Sequence, residues 1–255
     1  MLGPMALSAM GWGQKGHDTT AEIASRHLTP ATSAAVDSLL KGRSMVYWSN
    51  WLDNASHTPE YAYTKSWHYK NIDPGETYDN APMYQGGDIV TALTDLRRNL
   101  ASGNLDEKQS TLALKMIVHL MGDLHQPLHM GRRNDRGGNG RKVSFFDRDT
   151  NLHSVWDSSL PEAAHKWSYT EWSDQIDAAS PAMQCTLTEG DFSSWGRETY
   201  GLATEVYDAT PEGTVISYDY IAKWAPVVEQ QFLKGGLRLA HVLNSIFDSE
   251  YDQKP

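Results

Sequence analysis

The chain has 255 residues, with 32 acidic against 22 basic side chains for a formal charge of −10, and 40% hydrophobic against 21% charged content. That balance excludes a disordered tail or a collagen-like rod and leaves enough chain to bury a core without staples. It also argues against a duplex-binding protein that works through a basic stripe, and the single cysteine, Cys185, excludes an intrachain disulfide.

Residues 1–11 carry no charge and end in small residues, with Ala9 and Gly11 two apart as at a signal-peptidase site. They read as the remnant of an export signal that is removed, which points to a periplasmic or extracellular protein whose residues 12–255 form a single domain. Apolar residues at helical spacing predict helices over Asp18–Leu28 and Ala31–Leu40. Residues 45–87, rich in Trp, Tyr, Asn, His and Pro, read as ordered loop with a short helix near Trp48–Ala55. Helical periods return over Asp88–Leu100 and Leu105–Leu124, the second apolar on most of its faces. Lys142–Phe146 is the one convincing strand-like run and reads as half of a small hairpin. Further helices are expected over Leu160–Ile176, Phe192–Val206 and Tyr218–Phe247, the last broken or kinked at Pro226 and at Gly235-Gly236. Trp167, Trp172, Trp195 and Trp224 recur among these C-terminal helices and read as core or cleft-wall residues. The expected fold is mainly α, a multi-helix domain with a small β-hairpin. No segment reaches the ~18 consecutive apolar residues that a membrane span needs, so no stable membrane association is expected.

Ten histidines are the other compositional signal, since imidazole is the commonest protein metal ligand. His119 and Asp123 are four apart near the end of the apolar helix and share one of its faces. Pro127 ends that helix near Leu124, so His129 can turn back toward the same cavity. His153 and Asp157 repeat the four-residue offset. Imidazole and carboxylate pairs inside an apolar helix need partners, and nitrogen and oxygen donors of this kind suit zinc.

With Trp12-Gly-Gln-Lys-Gly-His17, Trp51-Leu-Asp53-Asn54 and Trp67-His68-Tyr69 added, the set resembles the S1/P1 nuclease family of zinc-dependent, single-strand-preferring nucleases. The motifs run in order from Trp12 to Asp157, while the C-terminal helices agree only in general character. The resemblance implies a helical domain of the phospholipase C/P1 nuclease type with three zinc ions at the bottom of a cleft. By that resemblance Asp53, His68, His119 and Asp123 hold one ion of a close pair. Asp123 as a bridge, His17 and the backbone nitrogen and carbonyl of Trp12 hold its neighbour, and His129, His153 and Asp157 hold a third. His125 matches no family ligand and reads as structural or supporting. A terminal amine can chelate a metal together with its own carbonyl, whereas an amide nitrogen inside a chain has no available lone pair. Full metal loading therefore requires the chain to begin at Trp12.

The activity implied is hydrolysis of single-stranded DNA or RNA to 5′-phosphorylated products by a hydroxide bridging the close pair, with 3′-nucleotidase action as an added option. Asp53 orients the attacking water and is the expected catalytic carboxylate. Zinc would also answer the charge problem, drawing phosphate locally in an acidic protein. Tyr69 stands where fungal members stack an aromatic ring on a base, and Asn71 where they place an aspartate on the base edge. The Tyr69 ring is read either as that platform or as a lid packed over the ligands. Ser56 stands where the family commonly has a basic residue near the phosphate. The protein is expected to be a monomer. Two other readings stand beside this one. The first is a zinc phospholipase C of the same superfamily, against which weigh the short interval from Trp12 to His17 and an aspartate, Asp157, where the phospholipases place glutamate. The second is an exported zinc-binding protein without catalysis.

Overall fold

The computed structural model describes residues 12–251, and the segment 1–11 read as an export-signal remnant lies outside the described residues. Helix α1 (Gln14–Arg26) begins four residues before the predicted start, which brings His17 inside it. In α2 (Pro30–Leu39) proline occupies the first turn and the Thr29 hydroxyl accepts from the Thr32 amide, satisfying one of the orphan donors of a helix start. The predicted short helix is two, α3 (Met45–Trp48) and α4 (Trp51–Ala55). Between them Ser49 and Asn50 donate to the Asp18 carboxylate on α1, at 2.9 and 2.7 Å. A 3-10 turn, Ala62–His68, leads through loop to α5 (Ile89–Ala101) and α6 (Glu107–Leu124). Asp106 and Gln109 close a capping box at the start of α6. Every residue of α6 from Met116 to Leu124 is buried.

Past α6, Pro127–Met130 forms a second 3-10 turn. Strand β1 (Lys142–Phe145) pairs antiparallel with β2 (Arg148–Asn151), Lys142 opposite Asn151, as the predicted hairpin requires. Helix α7 (Leu152–Ser154) passes through a π-type turn, Val155–Ser159, into α8 (Leu160–Ala164). The helix expected over Leu160–Ile176 is thus divided. Residues 165–168 interrupt it, and Ser168 with Glu171 forms a capping box that starts α9 (Tyr169–Ile176) afresh. Helix α10 (Pro181–Thr188) was not expected, and α11 (Phe192–Ala209) runs three residues beyond its predicted end. A two-residue strand, β3 (Val215–Ile216), adds parallel to β1.

Helix α12 (Tyr218–Phe247) corrects the expected break, because it runs unbroken through Pro226 and the glycine pair. Pro226 lies on the exposed face, and so does Ala222, whose carbonyl has no amide hydrogen to accept from at the proline and stands on the solvent side. The glycines serve contact with α1: a Cβ at Gly236 would lie 2.5 Å from the Ile23 side chain, and one at Gly235 3.2 Å from Thr20. The core has two parts. One joins α1, α5, α6 and α12 through residues such as Leu93, Ile117, Leu120 and Leu243. The other is built on Trp12, Trp156, Trp172, Trp224 and Phe232. Together they fix α1, α6 and the α7–α8 segment, whose histidines and aspartates face one another and meet Asp53 from α4 and His68 and His129 from the two 3-10 turns.

Candidate functional site

Asp123 sits at the centre, wholly shielded from solvent. Its Oδ2 is 3.1 Å from His119 Nε2, one turn earlier on α6, and 2.9 Å from Nδ1 of His68 at the end of the first 3-10 turn. Its Oδ1 is 3.3 Å from His17 Nε2 and 3.5 Å from His129 Nδ1. Asp53 reaches in from α4, with Oδ1 3.5 Å from His119 Nε2. The His17 ring stacks on that of His119 at 4.2 Å. Gly122 makes this possible, since a Cβ there would lie 2.6 Å from His17 Nδ1. Donor atoms of His17, His119 and Asp123 all lie within 4.8 Å of one another, as do those of Asp53, His68 and His119.

A second grouping within the same 4.8 Å limit is formed by His129, His153 and Asp157. The imidazoles of His129 and His153 stack at 5.2 Å, and His153 Nε2 is 3.2 Å from Asp157 Oδ2 across the π-type turn. Gln126 donates to Asp157 Oδ1 at 2.5 Å, and the amide of Gly13 donates to the Asp157 carbonyl at 2.8 Å, tying the start of the described chain to this wall. Trp12 is buried, with its ring edge-on to Phe232 at 4.8 Å.

Three imidazoles are aimed by backbone carbonyls. His119 Nδ1 donates to Ser49 at 2.7 Å, His129 Nδ1 to His68 at 2.6 Å and His153 Nδ1 to Gly137 at 2.6 Å. A carbonyl only accepts, so the proton sits on Nδ1 and Nε2 keeps its lone pair, which in His119 and His153 faces the cluster, the arrangement that supports a metal-bound histidine. His68 turns the other way, presenting Nδ1 to the cluster.

The electrostatics show what the donors lack. Among the described residues the ion-pair partners of Asp53, Asp123 and Asp157 are histidines alone. Burial pushes the Asp53 carboxyl up to about 7, with His119 opposing and Asp123 adding to the rise. Burial likewise raises Asp157 well above the usual carboxylate range. Burial would also raise Asp123, but His119 and His129 outweigh it and hold that group well below its ordinary value. His119 is lowered by burial yet carried to about 9 by the charges of Asp123 and Asp53. Burial takes His17 down to about 4 and His129 to about 3. Buried atoms of His17, Asp53, Asp123 and Asp157 have no hydrogen-bond partner in the protein, nor does Nε2 of His68 on the far side of its ring. Convergent, partnerless nitrogen and oxygen donors under competing proton demands fit divalent zinc, which takes this mixture of ligands, better than oxygen-seeking cations.

Tyr69 is half-buried, and its ring meets Tyr84 edge-on at 5.2 Å. Asn71 is buried, its Oδ1 without a protein partner and its carbonyl accepting from Arg133 at 3.0 Å. The 70–72 backbone runs beside 129–131, with Lys70 donating to His129 and Ile72 to Gly131, both at 2.8 Å. Ser56 is buried and donates to the Asp53 carbonyl at 3.1 Å, so it secures α4. His125 points away from the cluster: Nδ1 donates to Met121 at 2.8 Å and Nε2 accepts from Arg238 at 3.0 Å. Sequence reasoning missed Gly122, Gln126, Gly137 and the Ser49 carbonyl. Gly122 and Gln126 lie inside the His119–His129 motif, but their roles are contacts across the fold. Gly137 has a φ of +64°, and a Cβ there would meet the Leu128 carbonyl at 2.6 Å.

Comparison with known proteins places these residues in context. A family profile described as S1/P1 Nuclease matches residues 12–248. Endonuclease 4 of Arabidopsis thaliana is 32% identical, the alignment covering 98% of this chain and 94% of that protein. Nuclease S1 of Aspergillus oryzae is 29% identical over 95% of this chain and 94% of its own length. Among solved structures, the alpha-toxin of Clostridium perfringens is similar at 17% identity with a TM-score of 0.48, over 96% of this chain and 66% of that one.

Proposed function

The chain belongs to the S1/P1 nuclease family and is a hydrolase of phosphodiester bonds, and we propose that it cuts single-stranded DNA and RNA with three zinc ions, leaving 5′-phosphates. What supports the reading is the set of buried imidazole nitrogens and carboxylate oxygens that converge on one another, several of them without a hydrogen-bond partner. In this reading Asp53, His68, His119 and Asp123 hold one zinc. Asp123, His17 and the backbone nitrogen and carbonyl of Trp12 hold a second, which requires an exported chain that starts at Trp12. His129, His153 and Asp157 hold the third.

Bound zinc would supply the positive charge that draws phosphate into an acidic protein and would activate water for attack at phosphorus. The chain's own residues do the rest. Asp53 is the most open of the three carboxylates, its side chain 24% exposed against 0% for Asp123 and 2% for Asp157. It is therefore the one that meets entering water, accepts its hydrogen bond and fixes its line of approach. Tyr69, whose exposed part is braced by Tyr84, offers a ring face to a base of any identity. Asn71, whose buried Oδ1 has no protein partner, offers an amide that can both accept from and donate to a base edge, and 3′-phosphates of nucleotides are a second substrate class to assay.

The test measures zinc per chain by elemental analysis, the first residue by N-terminal sequencing, and cleavage of single-stranded oligonucleotides with and without chelator. About three zinc ions on a chain beginning at Trp12, with chelator-sensitive cleavage to 5′-phosphates, is the expected result. A fully loaded protein that hydrolyses phospholipids and leaves oligonucleotides intact would overturn the substrate, and a correctly processed chain without zinc would overturn the metal site.

A further inference from the structure

Around α3 and α4 aromatic rings and cations alternate. The Lys115 ammonium on α6 lies 3.2 Å from the centroid of the Trp48 ring and 5.6 Å from that of Trp51. The Arg43 guanidinium lies 4.9 Å from the centroid of Tyr47, whose edge meets Trp48 at 4.9 Å. Trp51 continues the row to Tyr61 at 5.1 Å. Tyr47 is 59% exposed. Among the described residues neither Arg43 nor Lys115 forms an ion pair, in a chain with ten more acidic than basic side chains. A single cation over a single ring is an ordinary stabilising contact. Here two cations without carboxylate partners are held against three rings, Tyr47 joined to Trp48 and Lys115 linking Trp48 to Trp51.

The row is continuous with the site. Ser49, directly after Trp48, gives its carbonyl to His119. Lys115 lies one turn before His119 on the same face of α6, about 6 Å along the axis. Trp51 opens the helix that carries Asp53. A single strand presents flat bases and regularly spaced negative charges, and such strands are held by aromatic platforms interleaved with cations.

We propose that Arg43, Tyr47, Trp48, Trp51 and Lys115 form a track for the part of the substrate strand that extends beyond the nucleotides being cut, bases against the rings and phosphates on the two cations. The proposal rests on the nuclease reading, and it makes the enzyme a reader of strand length. The exposed end, Tyr47 and Arg43, takes the outer nucleotide, and Lys115 takes the phosphate nearer the site.

The test compares Tyr47→Ala, Arg43→Ala and Lys115→Met with wild type in the zinc-loaded enzyme. The first readout is kcat/KM on a ten-nucleotide thymidine strand divided by that on the dinucleotide. The second is anisotropy of the same decamer made with hydrolysis-resistant phosphorothioate linkages. The track predicts that the decamer-to-dinucleotide ratio falls about ten-fold in each variant, in the range of one lost base stack. Decamer Kd should rise by a similar factor, and Arg43→Ala should lower the slope of log K against log salt by about 0.7. An enzyme that cuts both substrates with an unchanged ratio and unchanged decamer affinity in the variants overturns the track and leaves the nuclease reading standing. A wild type that cuts neither substrate overturns the nuclease reading, and the binding data then decide the track: decamer binding lost in the variants keeps it, and no binding by wild type removes it.

Discussion

Gly122→Ala tests whether His17 and α6 form one rigid site. The added Cβ would lie 2.6 Å from His17 Nδ1 and 3.0 Å from its Cε1. Restoring van der Waals separation of about 3.5 Å requires the ring to withdraw by about 1 Å. His17 is fully buried and stacked on His119 at 4.2 Å, so it has no free direction to take. Overpacking of this kind costs about 1–3 kcal/mol, while replacing glycine by alanine inside a helix returns about 1 kcal/mol. The net loss is about 0–2 kcal/mol, and at 2–4 °C per kcal/mol for a chain of this size the Tm falls by no more than about 8 °C. The effect on turnover is larger, because displacement of a site group by 1 Å costs about 100-fold. Calorimetry, zinc content after dialysis and kcat/KM on a single-stranded oligonucleotide are measured on one preparation. The expected result is a folded protein that retains one zinc more weakly and works about 100-fold more slowly. A folded variant with full zinc and an unaltered rate would refute the placement of His17 in the site.

Asp123→Ala should abolish activity together with zinc retention, whereas His125→Ala should keep zinc and most activity but lose about 2–4 kcal/mol of stability, because a buried imidazole is removed and Arg238 Nη1 loses its acceptor while Leu187 and Glu198 still hold the rest of the guanidinium. Equal loss of zinc in both variants would contradict the geometry. Burial and Arg238 depress His125 to about 3 in the folded state from an ordinary 6.5. The unfolded chain therefore takes up this proton first, and the stability present above pH 6.5 is lost as pH falls from 6.5 toward 3. In chelator-treated protein this amounts to about 3 kcal/mol by pH 4. Urea unfolding of wild type and His125→Gln at pH 7.5 and 4.5 checks it, and an identical pH dependence in the two proteins would count against it. Gly236→Ala should lower Tm through a loss of about 1–3 kcal/mol, since its Cβ would strike Ile23 at 2.5 Å. Gly201→Ala on α11, with nothing within 4 Å, should instead raise stability by about 0.4–1 kcal/mol. The reverse order of the two Tm values would show that α1 and α12 can part without penalty.

The first layer of the site was legible because its spacings are short. His119 and Asp123, and His153 and Asp157, are each one helical turn apart, and a turn is the distance over which sequence spacing fixes geometry. The supporting layer was not legible, because the Ser49 carbonyl acts on a histidine 70 positions away and any residue carries a carbonyl. Helix α10 buries none of its residues and so imprints no apolar period. Strand β3, two residues long and paired only through the fold, leaves no alternation to read. Pro226 and Gly235-Gly236 were misread because local propensity argued for a break, while the buried face of α12 from Ile221 to Asn244 decided the outcome. The interruption at residues 165–168 did leave a trace, Ser168 three before Glu171, which the apolar pattern running across it concealed.

His119, His129 and His153 give their Nδ1 protons to carbonyls of the main chain. No single substitution deletes such an acceptor. The aim of these rings is inherited with the course of the backbone, so side chains around the centre can drift while its orientation persists. The vulnerability moves to changes of length: one residue inserted between Gly131 and Arg141 would swing the Gly137 carbonyl out of register and free His153 to flip. Position 137 is where tolerance of replacement also ends, because its left-handed backbone and the Leu128 carbonyl 2.6 Å from any Cβ admit glycine alone.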